Sequence, residues 1–159
     1  MATSPAAAGA GRIDNGVHIL PLRVYYEDTD AAGIVYHANY LRFAERARTE
    51  FLRMMGANHS EMRAATGAAF AVRDCRIEYF IPAVLDDALE VRTRMLAVSG
   101  ATLRAEQSIW RGETEIARLN LRIACIGPSM RPTRVPRDVR TALSALSTAS
   151  EPRSEEHGG

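Results

Sequence analysis

Lysine is missing from this chain, because all 20 of its basic residues are arginines. A chain without lysine cannot form a Schiff base with a carbonyl substrate or use a lysine amine as a nucleophile. Cysteine is also scarce: only Cys75 and Cys125 are present, with no Cys-x-x-Cys spacing and no histidine cluster nearby. This pattern indicates neither a zinc site nor a redox motif, and we predict two buried free thiols.

Long apolar runs are absent as well, and no stretch approaches the roughly 20 residues that a membrane-spanning helix needs. The N-terminus has no basic region and no long apolar core, so it does not resemble a secretory signal. We therefore expect no transmembrane segment and a cytoplasmic location. The formal net charge of +1 gives no field that favours nucleic acid as a partner. With 159 residues, 47% of them hydrophobic, the chain is typical of one globular domain.

The order of the patterned segments predicts an α+β domain over residues 17–136. Residues 1–16 are rich in Ala, Gly and Ser, and we predict a disordered tail there. A strand is expected over 18–26, followed by one long helix whose apolar side chains recur every three or four residues. From Ala68 the period changes to two and predicts four further strands, so that five antiparallel strands need the helix as their cover. Residues 137–159 are expected to form a short helix and a loose tail.

One stretch between the first strand and the long helix combines residues that can perform chemistry. From Tyr26 to Tyr40 it runs Tyr-Glu-Asp-Thr-Asp-Ala-Ala-Gly-Ile-Val-Tyr-His-Ala-Asn-Tyr. The carboxylates of this loop can act as a nucleophile or as a general base. The first N–H groups of a helix have no internal acceptor and carry the positive end of the helix dipole, so they can stabilise an oxyanion. The sequence thus delivers acids to a helix N-terminus beside His37.

This order of acid, glycine, apolar residues, histidine and aromatic resembles the signature of the 4-hydroxybenzoyl-CoA thioesterase family of hotdog-fold proteins, in particular its Tol-Pal-associated branch. Two further matches are Glu45-Arg46-Ala47-Arg48 and Asp86-Asp87. The resemblance implies a curled five-stranded antiparallel sheet wrapped around one long central helix. It also implies acyl-CoA as substrate, acyl carrier protein as a further partner, no cofactor, and a homodimer or homotetramer with sites between protomers.

Carried onto this chain, the resemblance places the catalytic carboxylate on Asp30 and the polarising backbone N–H near His37, with no metal. The His37 imidazole would orient water or protonate the departing thiolate, and Tyr26 would hydrogen-bond within the site. An arginine after the last strand would hold a phosphate of coenzyme A, because the forked guanidinium matches phosphate oxygens. The residues that the resemblance implies for substrate binding are Gly33, Val35, Tyr36 and Arg131.

Several of these residues also have a plainer interpretation. His37 can be an N-terminal helix residue at a subunit contact, Asp28 a turn-capping residue, and Tyr26 a packing residue of the strand. Glu45 is expected to pair with Arg48 or Arg42 on the helix surface, although some hotdog thioesterases place their acid on the central helix.

Two other classes of function stay open. One is a binding or scaffold protein that holds acyl-CoA or acyl carrier protein with little turnover, and the presence of both Asp30 and His37 favours the enzyme over it. The other is a metal hydrolase that uses Asp28, Asp30 and His37. These three side chains come from one short loop with no distant ligand, which disfavours a metal site.

Overall fold

The computed structural model describes residues 9–149, which contain six strands and three α-helices. The strands are β1 (Arg12–Asp14), β2 (Val17–Arg23), β3 (Ala69–Tyr79), β4 (Ala88–Ser99), β5 (Thr102–Arg111) and β6 (Thr114–Ile126). The helices are α1 (Asn39–Met54), α2 (His59–Thr66) and α3 (Arg137–Ala149), and a turn of 3₁₀ helix covers Tyr26–Asp28. Within the described residues, no helix combines the length and apolar character that crossing a bilayer requires.

These strands form one antiparallel sheet in the order β1-β2-β4-β5-β6-β3, with α1 packed against one face. Alternate residues of β5 and β6 are buried because they point toward the helix. For example, the Gln107 side-chain amide donates a hydrogen bond to the Ala44 carbonyl oxygen of α1 at 2.9 Å. Phe43, Ala47 and Phe51 of α1 are fully buried and belong to the same core cluster. The predicted α+β class, with one long helix covering an antiparallel sheet, is confirmed.

The sheet has six strands and not the predicted five, because a short strand forms inside the segment that we assigned to a disordered tail. Asn15 and Gly16 make the turn between β1 and β2 with φ of 49° and 78°, the two-residue hairpin geometry that Asn-Gly favours. Ala10 is buried, and its carbonyl oxygen accepts a hydrogen bond from His18 Nε2 at 2.8 Å. The prediction of disorder is therefore wrong for residues 9–16. Residues 1–8 and 150–159 of the two predicted tails lie outside the described residues.

His18 makes this N-terminal hairpin sensitive to acid. Burial lowers the pKa of its imidazole below the usual 6.5, and this outweighs the Ala10 carbonyl and the Glu50 carboxylate, which raise it. Near pH 6.5 the unfolded chain therefore binds a proton that the folded chain binds only at lower pH, so acid favours unfolding.

We expect the free energy of unfolding to fall as the pH drops below 6.5, by at most about 1.4 kcal/mol per pH unit. Urea denaturation at a series of pH values measures this slope, and His18→Asn should remove the contribution of this group. His59→Gln, a change at an exposed histidine, serves as the control and should keep the slope. An identical slope in wild type and His18→Asn would contradict the assignment.

The domain continues past the predicted boundary at residue 136. Val139 and Leu143 of α3 are buried in the same core as α1. The Val135 N–H donates to the Gly100 carbonyl oxygen at 3.0 Å, which fixes the approach to α3 against the β4–β5 turn. Because α3 completes the core, the boundary is corrected to a position after Leu143.

β3 is an edge strand, and this position corrects the prediction for one cysteine. Its outer side has no neighbouring strand within residues 9–149, and Val72 and Tyr79 are 47% and 46% exposed. Cys75 is exposed for the same reason, whereas Cys125 is buried as predicted. A strand of 11 residues with unpaired N–H and C=O groups along one side is a template for pairing with another chain.

Candidate active site

Asp28 ties the acidic loop to the first turn of α1. One of its carboxylate oxygens accepts a hydrogen bond from Asn39 Nδ2 at 2.6 Å, and the other accepts from the Tyr25 N–H at 2.8 Å. Its carbonyl oxygen accepts from the Tyr36 N–H at 2.9 Å. Both carboxylate oxygens of Asp28 thus hold the loop in place, which favours the turn-capping interpretation over a direct chemical role.

Asp30 opens a small loop that folds back on itself just before the helix. Thr29 and Val35 form an antiparallel bridge, and Gly33 makes the turn between them with a φ of 80°, which favours glycine. Asp30 Oδ1 accepts a hydrogen bond from the Ala32 N–H at 2.8 Å. The side chain is exposed, and its Oδ2 accepts no hydrogen bond from any residue in the range 9–149. A carboxylate held by one oxygen and open at the other suits a base or a nucleophile.

The N-terminus of α1 presents backbone donors beside His37. The N–H groups of His37 and Ala38 find no acceptor in the described part of the chain. The next N–H group, that of Asn39, is bonded, because it donates to the Tyr36 carbonyl oxygen at 2.8 Å. The Tyr36 ring packs against the His37 ring with centroids 4.5 Å apart. Both free donors lie at the positive end of the helix dipole, where a developing oxyanion is stabilised.

An apolar cleft of about 280 Å³ opens at this end of the helix. The Tyr79 hydroxyl donates to the His37 carbonyl oxygen at 2.8 Å, and the Tyr40 hydroxyl accepts from the Ala83 N–H at 3.0 Å. The two phenol rings meet edge to face, 5.4 Å between centroids, and burial raises the pKa of both. Both hydroxyls therefore stay protonated at neutral pH and serve the site as hydrogen-bonding groups. The residues that line the cleft are Ile34, Val35, His37, Tyr40, Tyr79 and the segment 80–82.

The predicted site residues do not all meet in one protomer. Val35 and His37 line the cleft, whereas Asp30 lies in the adjoining loop and does not line it. Tyr26 is 83% exposed and belongs to the 3₁₀ turn, so the strand predicted over 18–26 ends at Arg23. The chain leaves the sheet there because the Asp28 carboxylate caps the backbone of the turn. No group of three or more His, Cys, Asp or Glu side chains within residues 9–149 is arranged to hold a metal ion.

Arg131 lies at the opposite end of β3 from His37. Its carbonyl oxygen accepts from the N–H of Gly127, the residue that follows β6, at 2.8 Å. The end of β6 pairs with Ala69 at the start of β3, while Tyr79 at the other end of β3 contacts His37. The 11 residues of β3 span about 33 Å. Within one chain, Arg131 is therefore too distant to serve the cleft beside His37.

Three residues that shape the site were missed from the sequence: Asn39, Tyr40 and Tyr79. Asn39 and Tyr40 lie inside the recognised motif, but their spacing does not predict their hydrogen bonds. Asn39 bonds to Asp28, and Tyr40 bonds to Ala83. Tyr79 is separated from His37 by 42 positions, so only the folded chain brings the two together. The aromatic end of β3, next to the exposed Phe80, was the available signal.

Asn39 is the buried partner of Asp28, with 7% of its surface exposed, so its removal has a predictable cost. We expect Asn39→Ala to lower the free energy of unfolding by about 1–3 kcal/mol, because a carboxylate oxygen loses a short hydrogen bond. Denaturant titration measures the change. Asn120→Ala, at an exposed position on β6, should cost less than about 0.5 kcal/mol. Equal stability of the two variants would mean that the hydrogen bond between Asn39 and Asp28 does not hold the loop.

Comparison with known proteins identifies the family. The model of the thioesterase-like superfamily matches residues 24–143. The chain is 42% identical over 135 residues to the acyl-CoA thioesterase YbgC of Haemophilus influenzae. This alignment covers 84% of this chain and 98% of that protein. It is 43% identical over 123 residues to the acyl-CoA thioester hydrolase YbgC of Escherichia coli O6:H1. That alignment covers 75% of this chain and 90% of the relative.

A solved structure gives the same answer for the fold. The probable thioesterase from Bartonella henselae superposes with a TM-score of 0.72 at 38% identity, covering 76% of this chain and 99% of that one. The predicted hotdog fold is thus confirmed by a solved structure and by the family model. From the family match, the relatives and the arrangement around α1 together, it follows that the chain belongs to the thioesterase-like superfamily.

Proposed function

We propose that this protein hydrolyses an acyl-CoA thioester to a free acid and a thiol. The observation that carries the proposal is the apolar cleft at the N-terminus of α1, beside two backbone N–H groups without acceptors. The apolar wall suits an acyl chain, and the free donors suit the carbonyl oxygen of its thioester. The relatives named as acyl-CoA thioesterase and acyl-CoA thioester hydrolase support this substrate class.

In the proposed reaction, Asp30 supplies the carboxylate. It either takes a proton from the water that attacks the carbonyl carbon, or attacks that carbon itself to give an anhydride that water then hydrolyses. The N–H groups of His37 and Ala38 stabilise the oxyanion. As the C–S bond breaks, the sulfur takes a proton from the protonated His37 imidazole, and the proton that the water loses restores it. The exposed Tyr26 hydroxyl is free to hydrogen-bond to bound substrate. The residues proposed to line the substrate in this loop are Gly33, Val35 and Tyr36.

We propose that the complete site forms between two copies of the chain. The unpaired edge of β3 pairs antiparallel with the same edge of a second copy, about a two-fold axis. This pairing brings the Ala69 end of one β3 beside the Tyr79 end of the other. Arg131 of the partner subunit then approaches the cleft beside His37 and binds a phosphate of coenzyme A. A homotetramer would contain two such dimers.

A binding or scaffold protein with little turnover is the second candidate function. It is favoured by one observation, that Asp30 does not line the cleft of the single chain. Its ligand would be acyl-CoA or acyl carrier protein, and acyl carrier protein would also serve as a donor of the acyl group for the enzyme. We further propose a cytoplasmic location, because Cys75 and Cys125 are both free thiols.

A thiol-release assay separates the two functions. The protein is incubated with a panel of acyl-CoAs that have short, long and aromatic acyl groups, while binding of the same compounds is measured by calorimetry. Release of free thiol at many turnovers per site supports the hydrolase. Tight binding without release would support the scaffold and overturn the proposal. Activity should also survive a chelator, since a metal hydrolase would lose it.

A further inference from the structure

The face of the sheet opposite α1 carries an arginine cluster that the proposed site does not use. Side chains along a strand alternate between the two faces of the sheet. Gln107 of β5 points toward α1, so Arg104, three residues earlier, points away from the helix. In the sheet register Arg104 stands directly opposite Arg122, and Arg122 stands opposite Asp74. Like charges directly opposite each other destabilise a sheet, so the Arg104–Arg122 pair requires an explanation.

The nearby carboxylate does not neutralise this cluster. Asp74 is bound by Arg122, with the carboxylate oxygen 2.6 Å from Nη2 and 2.7 Å from Nε. Arg76 and Arg104 line the same cleft of about 280 Å³ and form no ion pair with any described residue. Three guanidinium groups against one carboxylate leave a local net charge of about +2.

Other arginines on the same strands behave differently. Four of them on β4, β5 and β6 have a carboxylate within 3.4 Å, and these pairs are Arg92–Glu90, Arg94–Glu106, Arg111–Asp87 and Arg118–Glu115. Arg76 and Arg104 are thus exceptions among arginines that are otherwise paired with a carboxylate. Their forked donors remain available for an anion.

We infer that this outer cleft, formed by Arg76, Arg104 and Arg122 with Asp74 and Asn120, binds a small molecule that carries a diphosphate group. A diphosphate presents several oxygens along a short chain, which matches guanidinium groups that come from three adjacent strands. The Asn120 side-chain amide adds a neutral donor at the cleft wall. This site lies across the sheet from the cleft beside His37, so the inference goes beyond the proposed hydrolysis.

Binding of inorganic pyrophosphate to the full chain tests the inference. We expect calorimetry to detect binding that weakens about tenfold or more in Arg104→Gln, since one charge-assisted contact is lost. Arg118→Gln is the matched control, because it removes the same charge from the same face at an arginine that Glu115 already pairs. The control should bind pyrophosphate within about twofold of wild type. Thermal melts verify that both variants are folded.

Competition with free coenzyme A identifies the source of the diphosphate. Displacement of pyrophosphate assigns the cleft to the nucleotide end of that molecule, and binding without displacement assigns it to another diphosphate; both outcomes support the site. Absence of binding in the wild type, or equal affinity in Arg104→Gln and Arg118→Gln, would overturn it. Because these measurements involve no turnover, their failure is distinct from failure of the proposed hydrolysis.

Discussion

Replacing Asp30 with asparagine is expected to lower the rate of thiol release from acyl-CoA by at least about a hundredfold, within the ~10²–10⁴ range of general-base catalysis. Asparagine keeps the size of the side chain, and its Oδ1 can still accept the hydrogen bond from the Ala32 N–H that shapes the loop. It cannot take a proton from water or attack a carbonyl carbon. The variant should therefore fold normally and bind substrate while losing the chemical step. The measurement is kcat for both proteins in the thiol-release assay.

The control for this experiment is Glu27→Gln. Glu27 is an exposed acid in the same loop, three residues before Asp30, and its side chain makes no hydrogen bond within the described residues. The loss of its charge changes the loop electrostatics by the same amount without touching the proposed chemistry. We expect activity within about twofold of wild type. Full activity in Asp30→Asn, or an equal loss in both variants, would remove Asp30 from the mechanism.

The sequence predicted α1 and the strands β4 to β6 well, because periods of 3.6 and 2 report which side chains share a face. It did not predict the position of each strand in the sheet. β3 follows α2 in the chain but pairs with β6 at the edge, so the alternating Cys75 turned out exposed. The β1–β2 hairpin was missed because the Ala- and Gly-rich composition suggested disorder, although Asn15-Gly16 is a strong hairpin signal.

For the site, the sequence located the loop and the helix N-terminus, since both belong to one continuous motif. The resemblance assigned the catalytic role to Asp30, and the hydrogen bonds of Asp28 to Asn39 and Tyr25 fit the turn-capping role expected for that second acid. Contacts between distant segments, such as Tyr79 with His37, depend on the register of the sheet. Arg131 and the cleft lie at opposite ends of a strand about 33 Å long, and this separation likewise appears only in the fold.

Mixing two impaired variants is expected to restore activity if each site is shared between subunits. An Asp30→Asn chain keeps Arg131, and an Arg131→Gln chain keeps Asp30. In a mixed dimer, one site combines Asp30 of one chain with Arg131 of the partner subunit and is intact, while the other site carries both changes. Random exchange makes half of the dimers mixed, so about a quarter of all sites are intact. Thiol release at low substrate should rise to about a quarter of the wild-type rate, at least roughly 25-fold above Asp30→Asn alone.

The same mixture gives a different result if Arg131 serves the site of its own chain. Every site of a mixed dimer would then carry one of the two changes, and the rate would stay at the average of the separate variants. Exchange of subunits is verified with a mass-shifted tag on one variant, so that a missing gain cannot come from unmixed dimers. Each variant taken alone through the exchange step should gain nothing. If two copies pair through the β3 edge as proposed, restored activity is the expected result, because Arg131 then reaches the cleft of the partner subunit.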